Sequence, residues 1–176
     1  MSGHNKWSKI KHKKGAADAK RSNLFSKLSR LIIAESKNSN GDLTSPSLIA
    51  AIDAAKKENM PKDTIERAIK KGTDKDTASL EEVTYEAYGP GGCAIIMEGL
   101  TDNKNRIAAE VRHLLSKKGI EIAAQGAASW AFTKEGAKWT PNTTIPISEQ
   151  DGEKLGVLID ELEELEDIQE IFTNAE

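Results

Sequence analysis

The chain has 176 residues, 38% hydrophobic, 30% charged and only 5% aromatic, which suits one or two small domains with aliphatic cores. A single cysteine, Cys93, excludes an internal disulfide framework and a cysteine-cluster zinc site; with only His4, His12 and His113 besides, neither a metal nor another cofactor is expected. The net charge of −3 conceals an asymmetry, because residues 1–37 hold ten Lys/Arg against two acids, a net of +8, whereas residues 149–176 hold one lysine against eleven acids, a net of −10.

In chain order, residues 3–15 show no apolar period, only Trp7 and Ile10 among lysines, and read as a mobile basic arm. The N-terminus has the charge of a secretion signal without its apolar stretch, and no run approaches the roughly 20 apolar residues of a membrane helix, so a cytoplasmic protein without membrane contact is expected. From Ala16 to about Lys37, Leu24, Leu28, Leu31 and Ile32 recur at the spacing of one helical face, with Lys20, Lys27, Arg30 and Lys37 on one flank of that stripe and Arg21 off it. Leu48, Ala51, Ile52 and Ala55 mark a second helix begun near Ser45 and Pro46. MPKDTIERAIKKG has proline in its first turn, lysines in its last and Gly72 where a glycine cap is expected, so residues 1–76 form a basic arm and a three-helix bundle.

After Leu80 the period shortens. VTYEAYG and CAIIMEGL read as strands joined by GPGG, followed by a helix capped from Thr101, Asp102 and Asn103 and lined by Ile107, Val111 and Leu115. SWAFTKEG and NTTIPIS are two further strand candidates, the helix after Ser148 buries Leu155, Leu158, Ile159 and Leu162, and IQEIFTN closes as a strand. From Cys93 onward this order is that of a ferredoxin-like domain, with VTYEAYG as an addition. Residues 77–176 are therefore expected to form an antiparallel sheet with both helices on one face, and the fold class is α+β.

The blocks GHNKWSKIKHKKGAADAKR, NMPKDTIERAIKKG, YEAYGPGG and LTDNKNRIAAEVRH stand in order over residues 3–113 and resemble the YebC/PmpR family, which includes a mitochondrial translational activator. The resemblance implies a non-enzymatic, nucleic-acid-associated factor, either a DNA-binding transcriptional regulator or a ribosome-associated translation factor. It also implies a third domain inserted in the second. That insert is missing here, since SWAFTKEG passes almost directly into AKWTPNTTIPIS. Asn5 also stands where the family commonly has serine or a similar residue.

A basic arm with an interleaved aromatic is the footprint of a phosphate-backbone binder, in which lysines displace counterions and rings stack on bases. The nucleic-acid-binding residues expected on this ground are His4, Lys6, Trp7, Lys9, Lys11, His12, Lys13 and Lys14 in the arm, and Lys20, Arg21, Lys27 and Arg30 along the first helix. A solvated, purely solubilising charge run is the bland alternative. Tyr85 and Tyr88 point to opposite strand faces, so one joins the core and Tyr88 becomes a secondary contact, as do Lys104 and Arg106 at a helix start that would attract phosphate. YGPGG lacks the helix and GK[ST] ending of a phosphate loop and reads as a hairpin turn. Cys93 is expected to be buried and inert, and His113 to be an ordinary helix residue. The expected partners are ribosomal RNA or duplex DNA, with the protein a monomer. Two rivals are a small phosphate-handling enzyme built on Arg106 with Asn103 or Asn105, and a ligand-sensing module.

Overall fold

The computed structural model describes residues 17–176, with side chains from Lys20 onward. Residues 1–16, and with them the arm, lie outside the described residues. The chain divides into two compact units between Glu81 and Glu82.

The helical unit holds α1 (Ala17–Asn38), α2 (Pro46–Lys57) and α3 (Lys62–Thr73). Its core is small and aliphatic: Ile32 and Leu48 are fully buried among Ala51, Ala55, Met60, Ile65 and Ala68, with Phe25, Leu28, Leu31 and Ile33 packed around them. The α1 stripe thus begins at Phe25, because Leu24 is exposed. Pro46 opens α2, where its missing N–H has no helical partner to lose. Gly72 does not cap α3 as the sequence suggests. It lies inside the helix, where a Cβ would come within 2.7 Å of the Ile33 carbonyl oxygen and 2.6 Å of Ser36 Cβ. The residue is glycine because α1 and α3 approach closely, and Ser36 Oγ donates to the Ile69 carbonyl at the same contact, at 2.7 Å.

The second unit is α+β, with an antiparallel sheet, as the hydrophobic periods imply. Its strands are β1 (Glu81–Tyr88), β2 (Ala94–Thr101), β3 (Ile122–Ala123), β4 (Phe132–Glu135), β5 (Lys138–Pro141) and β6 (Ile168–Thr173); its helices are α4 (Lys104–Lys117) and α5 (Glu149–Glu163). The main sheet has the order β3-β1-β2-β6, so the strand expected as an addition, β1, is interior. β2 is buried along nearly its whole length because both faces of the sheet are covered. Ile95 and Met97 pack with Ile107, Val111 and Leu115 of α4 and Leu155, Leu158 and Ile159 of α5, which puts both helices on one face. Ala94 and Ile96 point the other way, to Ala128, Ala131, Phe132 and Phe172.

Two strand assignments need correction. SWAFTKEG does not enter the main sheet: β4 pairs with β5 as a separate hairpin, Glu135 opposite Lys138 across the turn at Gly136 and Ala137. Local pairing across a two-residue turn needs little loop-closure entropy, and Gly136 takes the positive φ such a turn favours. The hairpin covers the second sheet face by packing Phe132 with Ala94, Ile96 and Phe172, Trp139 lies edge-on to Phe132, and Trp139 Nε1 and Lys134 Nζ both donate to Glu98 Oε1, at 2.7 and 2.8 Å. NTTIPIS contributes only the isolated bridge between Ile145 and Ala175; Pro146, which follows, has no N–H to continue a ladder.

Candidate nucleic-acid interface

The arm residues His4, Lys6, Trp7, Lys9, Lys11, His12, Lys13 and Lys14 fall outside the described residues. Of the four cations expected on α1, Lys20 and Arg21 are exposed and Arg30 is half-buried. The Arg21 guanidinium lies 5.3 Å from the Phe25 ring centroid, a cation-π contact one turn along that holds the charge at the helix surface. Lys27 departs from expectation. It is only 9% exposed and is not part of an open cationic face.

The helical unit has a second group of cations that the sequence marks only as a helix-end signal. Arg67, Lys70 and Lys71, at the spacing of one face of α3, line a shallow depression with Thr73 and Asp74. The amphipathic period of α3, with Ile65, Ala68 and Ile69 opposite, was the available clue.

On the second unit, the helix start expected to attract phosphate is a closed salt-bridge network. Arg106 Nη2 donates to Asp102 Oδ1 at 2.7 Å and to Asp167 Oδ2 at 2.6 Å, and Asp167 also accepts from Thr101 Oγ1 at 2.7 Å. Asn103 caps α4 by accepting from the Arg106 amide at 3.1 Å. Hydrogen bonds from Arg106 to Asp167 first and Asp102 second push the guanidinium pKa upward. Two carboxylates already on the guanidinium disfavour an incoming phosphate, and through them Arg106 braces α4 against the approach to β6. Lys104 remains exposed on the first turn.

Tyr85 packs against the helix-covered core and Tyr88 is 42% exposed, as the pleat requires. Beside Tyr88 stands Trp130, which the sequence pattern absorbs into a strand. It lies in a 3-10 turn (Ser129–Ala131) and is 63% exposed. Trp130 Nε1 donates to Tyr88 Oη at 2.9 Å, and Tyr88 Oη donates to the Ala127 carbonyl. Beneath them Glu86, only 4% exposed, accepts from the amides of Gly126 at 2.8 Å, Ala128 at 2.7 Å and Ser129 at 2.8 Å. Burial raises the Glu86 pKa, but these amides outweigh it and hold the carboxyl below its ordinary 4.5. The Cys93 thiol, fully buried just ahead of β2, is pushed up by burial, as befits an inert core residue.

A helical unit that carries clustered cations and an α+β sheet unit together define a two-unit protein. Residues 5–75 match the family described as TACO1/YebC protein N-terminal domain, and residues 80–138 and 135–175 match the TACO1/YebC second and third domain. The chain belongs to the TACO1/YebC family. A "Probable transcriptional regulatory protein" of Desulfosudis oleivorans is 56% identical over 138 residues, covering 77% of this chain and 56% of that protein, so the chain spans little more than half the length of such relatives. One of the same description from Petrotoga mobilis is 48% identical over 184 residues, covering 100% of this chain and 71% of its own. In Fervidobacterium nodosum the match, 37% identical, runs over 235 residues, more than this chain contains, so that relative carries internal residues without counterpart here. The two matched segments overlap at residues 135–138, on the β4–β5 turn. The crystal structure of a conserved hypothetical protein, Aq1575, from Aquifex aeolicus has a TM-score of 0.82 and 33% identity, covering 95% of each chain.

Proposed function

We propose that the protein is a non-enzymatic nucleic-acid-binding regulator of gene expression, working as a cytoplasmic monomer. The arm of residues 3–15 and the exposed cations of α1 make the main contact, and ribosomal RNA is the target. The observation that carries this reading is the net charge of +8 packed into residues 1–37 of a chain that is acidic overall. Such a charge gains affinity for any polyphosphate by counterion release. The sequence marks no clean helix-turn-helix recognition helix, which favours RNA. The acidic C-terminal segment repels nucleic acid and turns the basic end toward it.

The names of the relatives from Desulfosudis and Petrotoga favour a second reading, in which the same surface lies along duplex DNA at promoters. Crosslinking in cells, with sequencing of both RNA and DNA recovered with the protein, separates the two. Large-subunit ribosomal RNA recovered with wild type but not with an arm charge-reversal variant supports the first; discrete promoter DNA supports the second. Recovery of neither removes both.

A further inference from the structure

We infer that Trp130, held by Tyr88, is a stacking platform for an unpaired nucleobase of single-stranded RNA on the sheet unit; this inference rests on the nucleic-acid reading above. Trp130 is the most exposed of the large apolar side chains described, at 63%, in a unit whose other large apolar groups are mostly covered. Its exposure is not looseness. The indole N–H is fixed on Tyr88 Oη, the phenol is fixed on the Ala127 carbonyl, and three amides of residues 126–129 converge on the buried Glu86 carboxylate. A large ring held rigidly in water loses little conformational entropy when a flat partner stacks on it.

The chemistry of the occupant follows from where the polar atoms point. A pocket for an extended or proline-rich peptide uses its Trp N–H and Tyr O–H to bind peptide carbonyls. Here both donors are satisfied inside the protein, so the ledge offers a bare π face with no donor to read a backbone. Base stacking needs only that face and tolerates any sequence, and it requires an unpaired base, since a duplex keeps its bases stacked on one another.

The test is fluorescence anisotropy of the full-length chain with a labelled single-stranded RNA of mixed sequence and with the same RNA as a duplex. Trp130→Ala is expected to weaken single-strand binding by roughly five- to hundredfold and to leave duplex binding unchanged, while Trp130→Phe, which keeps a ring but no N–H, stays within a fewfold of wild type. Melting temperatures near that of wild type for both variants show that the fold is intact. Single-strand affinity unchanged in Trp130→Ala, while arm charge reversal removes it, overturns the platform and leaves the function standing. A proline-rich peptide bound by wild type and not by Trp130→Ala, with RNA affinity unmoved, assigns the ledge to a protein partner and also overturns it. Absence of wild-type binding to either RNA removes the functional reading and the inference together.

Discussion

Arg106, in the first turn of α4, and Asp167, just ahead of β6, are 61 residues apart in sequence, and the guanidinium reaches the buried carboxylate at 2.6 Å. The contact ties the helix layer to the end of the sheet. Arg106→Ala takes this cation from a buried carboxylate, and that loss is destabilising. We expect a lower melting temperature, with RNA affinity of the folded fraction unchanged; a loss of affinity without a loss of stability would instead make Arg106 a contact residue.

Glu86→Ala strands the Ala128 amide, which is buried, and weakens the hold on the Gly126 and Ser129 amides. A charged acceptor serving several donors is worth more than a neutral one, and the loss is expected at about 3 kcal/mol. Urea unfolding read by circular dichroism measures it.

The same carboxyl predicts a pH dependence. Its pKa is lower in the folded chain than its ordinary 4.5, so the unfolded chain takes up the proton first on acidification. The Glu86 contribution is full above the ordinary value and is lost as pH falls from there through the depressed folded value. In Glu86→Gln this part of the acid destabilisation is absent, which a comparison of urea midpoints at neutral and acid pH detects.

Gly72→Ala pits propensity against packing. Alanine is favoured over glycine inside a helix by about 1 kcal/mol. The added methyl would meet the Ile33 carbonyl oxygen at 2.7 Å and Ser36 Cβ at 2.6 Å, and both belong to α1 with little room to yield. Overpacking of this kind destabilises by about 1–3 kcal/mol, so the net effect is expected to be a loss, seen as a lower denaturation midpoint.

Charge reversal of Lys9, Lys11, Lys13 and Lys14 is expected to abolish RNA binding without lowering the melting temperature. A milder Lys→Ala series at the same positions flattens the salt dependence of single-strand binding by about 0.7 for each phosphate that is no longer neutralised. Unchanged affinity in the reversal variant would sink the role of the arm.

The sequence by itself determined the number, type and order of most elements, because hydrophobic period and end signals are local: the stripes of α4 and α5 and the Asn103 and Ser148 caps all stand where the residues place them. It also determined the uneven spread of charge, which is a property of composition alone. Tertiary structure decided which strands pair, since SWAFTKEG has strand character in either sheet and only the two-residue turn to β5 and the uncovered face of β2 select the hairpin. It decided that Gly72 serves a helix contact and not a cap, that Lys27 is covered, and that Arg106 is claimed by Asp102 and Asp167. It also brought Trp130 onto Tyr88 across 42 residues. Each of these depends on what lies opposite a residue in space. A period along the chain records which face is buried, but not against what.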